Sequence, residues 1–189
     1  MLKCIVICLL FISMISCNNK PVTIEKSRND SLKKYFKLAS DVSLTTNIKD
    51  SLTNKTLSFV NLEDNDTVTR FYLAEISKFY LKTLNFKGYN KVAKIHLEKS
   101  ILSFDTLSFA RYYRYKGGYF RRKGIYDSSF YYYLKAEKYY SKLNIQLEVA
   151  NINLNQGLTQ YSANDFLGAE LSLTKAYHIF KNSTKLYQL

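Results

Sequence analysis

The chain has 189 residues, of which 47% are hydrophobic, enough to build a sizeable core in a single domain. One proline and six glycines argue against a turn-rich all-β fold and a disordered chain, while 17 tyrosines and 12 phenylalanines favour an aromatic-rich helical protein. The formal net charge is +13, and the lysines and arginines are spread along the chain. This distribution indicates either a solvated helix surface or a basic binding face.

Residues 1–16 have the features of a signal peptide. Lys3 forms a short, positively charged N-terminal region, and an almost entirely apolar segment runs from Cys4 to Ile15. This segment is too short to span about 30 Å of hydrocarbon as a helix, and it fits an export signal. Ser16 then precedes Cys17, which resembles a bacterial lipobox, in which the cysteine carries a lipid. An ordinary signal peptide and an uncleaved anchor are the alternatives.

The cysteine count supports lipidation of Cys17. The other two cysteines, Cys4 and Cys8, leave with the signal peptide, so the mature chain would have one thiol and no internal disulfide. We therefore predict a protein in the cell envelope, lipid-anchored to a bacterial membrane on its periplasmic or surface side. Residues 17–29 contain the only proline and are predicted to be the lipidated cysteine and a flexible linker.

Helix-capping residues recur further along the chain. Asp66, Asp105 and Asn144 are 39 residues apart, and their side chains are suited to accept hydrogen bonds from the first turn of a helix. This period predicts three two-helix units at residues 67–105, 106–144 and 145–183. Residues 30–66 are predicted to form a degenerate N-terminal helical hairpin, since terminal repeats are often atypical.

Small and aromatic residues alternate at regular spacing in the second and third units. Small residues permit two antiparallel helices to approach closely, and aromatic residues fill the space beside the contact. The residues concerned in the second unit are Gly117, Phe120, Tyr126, Ser129, Tyr133 and Ala136, and Gly157, Phe166, Ala169, Leu173 and Ala176 match five positions at an offset of 40.

This spacing resembles the tetratricopeptide repeat. The stretches 127–140 and 165–183 are similar to the N-terminal repeat region of bacterial tetratricopeptide signalling proteins of the sensor histidine kinase or helix-turn-helix regulator type. The resemblance implies an all-α, antiparallel helical-hairpin solenoid of about three and a half repeats. It also implies binding of a protein partner, whereas the output modules of such proteins have no counterpart in this sequence.

The end of the sequence predicts the start of a further helix at residues 184–189, after a cap at Ser183. Such a start would leave the apolar face of the last complete hairpin open. We therefore expect a truncated version of a longer protein, and the alternative is a short terminal segment that packs on the last hairpin.

No pattern in the sequence predicts catalysis or a cofactor. His96 and His178 lie about 80 residues apart, and no strand precedes Gly117 and Gly118, so neither a zinc site nor a phosphate-binding loop is expected. The acidic loop that contains Glu63, Asp64 and Asp66 is interpreted as helix caps, with a calcium site as the alternative.

The resemblance also implies a groove lined by the first helix of each unit. Arg111 and Arg114 are one turn apart, which suits them to present two guanidiniums to a carboxylate. The expected partner is a protein or peptide, with an acidic peptide, a peptide C-terminus or an anionic glycan as the chemistry that fits. The predicted groove residues are Lys78, Lys82, Arg111, Arg114, Arg121, Asn151 and Asn155.

The leading functional hypothesis is a membrane-tethered protein–protein interaction scaffold, as the sensor part of a signalling protein. The alternatives are a carbohydrate-binding lipoprotein of a nutrient-uptake system and a non-functional truncated product. Nucleic acid is not expected as a partner, because the tyrosines of the basic stretch 111–123 fall on core spacing. Anionic lipid headgroups near the tether are a better match for the positive charge.

Overall fold

The computed structural model describes residues 22–186, with side chains from residue 28 to residue 183. Within this range consecutive helices pack against each other, so that four antiparallel hairpins stack in chain order. This arrangement confirms the predicted all-α, helical-hairpin solenoid. The eight helices of the described range are α1 (Val22–Ala39), α2 (Thr46–Phe59), α3 (Thr67–Lys82), α4 (Phe86–Ser103), α5 (Thr106–Arg122), α6 (Tyr126–Lys142), α7 (Gln146–Ser162) and α8 (Phe166–Leu186).

From α3 onward the helices are joined by turns of one kind. In each turn the residue after a left-handed position donates its backbone N–H to a carbonyl five residues earlier, as Asn85 does to Tyr80 (2.8 Å) and Ile125 to Phe120 (3.0 Å). This pattern is a Schellman-type helix end. The left-handed residues are spaced 20 apart, and they are Leu84, Phe104, Gly124, Asn144 and Asn164.

Because each helix with its turn takes 20 residues, the hairpin repeat is 40 residues long. This is the offset of the small and aromatic residues, and it differs by one residue from the period read from the caps. Asp66 and Asp105 are confirmed as caps, since each carboxylate accepts from the backbone N–H three residues later. Asn144 is not a cap, because it is the left-handed residue of its turn and α7 begins only at Gln146.

Both ends of the described range differ from the sequence prediction. Residues 22–29, predicted as linker, belong to α1, where Arg28 donates from Nε to the carbonyl of Phe59 (2.6 Å). The cap predicted at Ser183 is also wrong, because α8 continues to Leu186 and the Ser183 hydroxyl donates to the carbonyl of Ile179 (2.8 Å) within it. The predicted signal peptide and Cys17 lie outside the described residues.

A close approach of two helices that the sequence predicted is found between α5 and α6. A Cβ atom built on Gly117 would lie 2.7 Å from the ring of Tyr133, which is 2% exposed. The hydroxyl of Ser129 donates to the carbonyl of Gly117 (2.9 Å) from the same side of α6. The small residue at 117 is therefore required for the ring to pack and for the hairpin to close.

A buried polar cluster joins α4 to α5. The Nε2 atom of His96 lies 2.8 Å from the hydroxyl of Ser108, which is 2.7 Å from the hydroxyl of Ser100. Burial lowers the pKa of His96 to about 4, because the imidazolium would lose its hydration there, and the positive charge of Arg111 adds to this effect. His96 is thus a neutral core residue.

The two adjacent glycines of α5 are expected to respond oppositely to alanine. Gly117→Ala inserts a methyl group against the Tyr133 ring, and overpacking of a core costs about 1–3 kcal/mol. Gly118→Ala meets its nearest atom at 3.4 Å, so it should raise the free energy of unfolding by roughly 0.5–1 kcal/mol through helix propensity. Chemical denaturation of both variants measures this difference, and a Gly117→Ala variant as stable as Gly118→Ala would contradict the packing argument.

The buried histidine predicts a stability loss in acid. Because the pKa of His96 is about 4 in the folded chain against 6.5 in the unfolded chain, the unfolded chain binds the extra proton in this interval. The free energy of unfolding should therefore fall as the pH drops from 6.5 to 4, by about 3 kcal/mol from this residue.

Urea denaturation at several pH values measures the slope. The matched control is His96→Gln, which keeps a polar side chain but does not titrate, so its free energy of unfolding should depend less steeply on pH in this window. Equal slopes in the two proteins would show that His96 is not the group responsible.

Candidate functional site

The helices α3, α5 and α7 contact one another in sequence and form one face of the solenoid, which we call the A face. A pocket of about 140 Å³ opens on the A face, and α6 contributes one side chain to it. Its neutral lining includes Gly118, Tyr133 and Asn155. Its five cationic side chains are Lys78, Lys82, Arg114, Arg121 and Arg122.

Two of the five cations are neutralised by carboxylates. Lys78 pairs with Glu75 at 3.1 Å, and Arg114 pairs with Glu148 at 2.5 Å. In the described part of the chain, none of the remaining three cations has a carboxylate within salt-bridge distance. With five cations and two carboxylates, the pocket has a net formal charge of +3.

Arg121 and Arg122 stand next to each other at the end of α5 and share the pocket with the Tyr133 hydroxyl. Nε of Arg121 is buried without a hydrogen-bond partner among the described residues. Nη1 of Arg122 donates a long hydrogen bond of 3.3 Å to the carbonyl of Gly118, and partial desolvation of its solvent-exposed side chain together with the charge of Arg121 lowers the pKa of Arg122. A buried donor without a partner and crowded positive charge both favour a negatively charged ligand at this point.

Gly118 provides the open space in the pocket. A Cβ atom built there would lie 3.4 Å from Nη1 of Arg122 and 3.5 Å from the hydroxyl of Tyr133. These are ordinary contacts, so a side chain would fit, but it would fill the volume between the guanidinium and the phenol. The missing side chain therefore lets a ligand approach the backbone of α5 between two donors.

Tyr133 connects this pocket to the core contact below it. Burial raises the pKa of Tyr133, while Arg121 and Arg122 act in the opposite direction because they favour the phenolate. The hydroxyl therefore stays protonated near neutral pH and is available as a donor. A ring held against Gly117 thus ends in a polar group at the pocket.

Five of the seven predicted groove residues line this pocket, namely Lys78, Lys82, Arg114, Arg121 and Asn155. Arg111 does not, since its guanidinium lies over the ring of Phe71 at 5.4 Å. The predicted pairing of Arg111 with Arg114 on one carboxylate is replaced by the Arg114–Glu148 ion pair. Asn151 also lies outside the lining and donates to Glu148 at 3.2 Å.

Sequence reasoning missed Arg122 and assigned Tyr133 only to the core. Arg122 lies four residues after Gly118, so both fall on the same helix face, and this spacing was a usable signal. The role of the Tyr133 hydroxyl had no signal in the sequence, because it depends on how far the ring extends past Gly117.

Other features of the described residues carry less chemistry. An open apolar groove of about 510 Å³ borders the last hairpin and includes Tyr161, Phe166 and Tyr177. No group of three or more metal-binding side chains comes together in the part of the chain that the structure describes, the loop at 63–66 included. No helix in residues 22–186 has the length and apolar character needed to cross a membrane.

Comparison with known proteins identifies no relative of this chain. No protein-family model matches the chain, and neither the curated proteins nor the solved structures contain a significant match. The geometry and charge of the pocket are therefore the basis for a functional assignment.

Proposed function

We propose that the protein is a binding scaffold that holds an acidic segment of a protein partner against its A face. The observation that carries this proposal is the net charge of +3 in one pocket, where Lys82, Arg121 and Arg122 have no carboxylate partner among the described residues. Charged groups gathered without counter-ions are unfavourable for the isolated fold, and an acidic partner would compensate them.

An extended acidic segment suits the surroundings of the pocket. The A face continues from α5 to α7, where Asn155 lies at the pocket edge and Asn151 and Glu148 follow. The amide group of Asn155 donates to the carbonyl of Asn151 (2.7 Å), which fixes its side-chain carbonyl as an acceptor for a partner's backbone. Opposite charges on the two partners would also accelerate their encounter.

The same proposal includes the repeat class and the tether. The small-residue contact at Gly117 supports a tetratricopeptide-like repeat. The 40-residue hairpin is longer than the roughly 34 residues of that repeat, so the proposal is a tetratricopeptide-like unit with longer helices and turns. A lipid on Cys17, supported by the apolar segment before it, would hold the A face close to a bacterial membrane, as a sensor or docking protein requires.

Selection from a random library of 12-residue peptides on the immobilised protein tests the binding role. We expect the selected peptides to be enriched in aspartate and glutamate and to bind more weakly at high salt. The double variant Lys82→Ala, Arg121→Ala should bind them at least 10-fold more weakly, because each lost charge-assisted hydrogen bond is worth about 1.5–3 kcal/mol.

Arg111→Ala is the matched control. It removes one positive charge from the same helix, but Arg111 lies over Phe71 outside the pocket, so peptide affinity should stay within about twofold. Selected peptides without acidic residues, or equal losses in the control and the double variant, would overturn the proposal.

A further inference from the structure

We infer that the pocket between Lys82, Arg121, Arg122 and Gly118 takes one tetrahedral oxyanion, the phosphate of a phosphorylated side chain in the partner segment. This inference rests on the proposed function and names the group that enters the pocket. Its support is the combination of net charge, volume and donor geometry at one place on the A face.

The net charge of the pocket fits a phosphate better than a carboxylate. A carboxylate carries one negative charge and would leave two of the three unpaired cations uncompensated. A phosphorylated side chain carries roughly −1.5 to −2 at pH 7. It would therefore neutralise most of the charge that Glu75 and Glu148 leave in place.

The volume of the pocket limits the size of the ligand. At about 30 Å³ for each water molecule, 140 Å³ has room for a few waters, and a phosphate group is smaller than this because its atoms are bonded to one another. Pockets for drug-sized ligands measure about 300–1,000 Å³, so this smaller, solvent-open pocket suits one small group better than a whole nucleotide or sugar chain. The rest of the ligand would lie along the A face outside it.

The donors around the open space suit three acceptor oxygens. Arg121 and Arg122 provide planar guanidiniums, which bind phosphate through paired hydrogen bonds, and Nε of Arg121 is a buried donor without a partner among the described residues. Lys82 adds a positive charge from α3, where its ammonium lies 5.6 Å from the ring centre of Phe79. The hydroxyl of Tyr133 adds a further donor beside Gly118. Because Gly118 has no side chain, an oxygen can enter between Arg122 and Tyr133.

The test uses three versions of one acidic 12-residue peptide, with serine, phosphoserine or glutamate at the centre, and measures their affinities by titration calorimetry. The wild type should bind the phosphoserine peptide at least 10-fold more tightly than the glutamate peptide. Gly118→Ala should abolish that preference, because its methyl group fills the space between Arg122 and Tyr133, and thermal unfolding should show that it is folded. Lys82→Ala, which leaves the helix contact at Gly117 intact, should reduce the preference independently, and Arg111→Ala should retain it.

The outcomes separate this inference from the proposed function. Equal affinity for the phosphoserine and glutamate peptides overturns the inference while the acidic-segment scaffold stands. If no peptide binds but inorganic phosphate does, and Gly118→Ala abolishes that binding, the proposed partner falls and the oxyanion pocket stands. Vesicles of phosphatidic acid test a membrane source of the phosphate. If they bind the wild type but not Gly118→Ala, and displace the phosphopeptide at a phosphate concentration below that of the peptide, the phosphate belongs to a membrane. The assignment to a protein segment is then overturned.

Discussion

The contact between Gly117 and the ring of Tyr133 determines how closely α5 packs against α6, and it also places the Tyr133 hydroxyl in the pocket. The ring occupies the position that a side chain at residue 117 would need, so the two helices come close enough for Ser129 to bond the Gly117 carbonyl. Held in that position, Tyr133 can end only beside Gly118 and Arg121 on the A face. The hydrophobic contact that closes the hairpin thus also places a polar donor in the candidate site.

The uniform turns extend this local geometry along the chain. Because a left-handed residue recurs every 20 positions, residues 40 apart occupy equivalent positions in successive hairpins. The pocket repeats this equivalence, since Lys78 corresponds to Gly118, and Lys82 to Arg122. A third equivalent set is formed by Glu75, Tyr115 and Asn155, and the hydroxyl of Tyr115 donates to Glu75 at 3.3 Å. Lys82 and Arg122, which occupy the same repeat position in successive hairpins, therefore meet in one pocket.

The same 40-residue register explains which parts of the site were predictable. Lys78 and Lys82 were predicted as groove residues, and both lie on the face of α3 that lines the pocket. Arg111 was predicted to face the same groove, but the 40-residue register makes it equivalent to Phe71. Arg111 therefore packs over Phe71 instead of lining the pocket.

The fold was predictable because caps, small residues and aromatic residues act locally and repeat. Asp66 and Asp105 cap their helices as expected, since a carboxylate placed before a helix has few better partners than the free N–H groups of its first turn. The site was only partly predictable, since pairing between helices decides which charges are neutralised. Nothing local in the sequence shows that Glu148 reaches Arg114, 34 residues away, and leaves Arg121 and Arg122 without such a partner.

The net charge of the chain does not by itself mark a binding surface, because aromatic rings face many of its cations. Lys123 lies 4.3 Å from the ring centre of Phe86, and Lys135 lies 4.6 Å from that of Tyr131. Arg121 and Arg122 have neither a facing ring nor a carboxylate among the described residues. Two adjacent guanidiniums in one pocket repel each other. An anionic ligand at this point would relieve that repulsion, which is the physical basis of the proposed binding role.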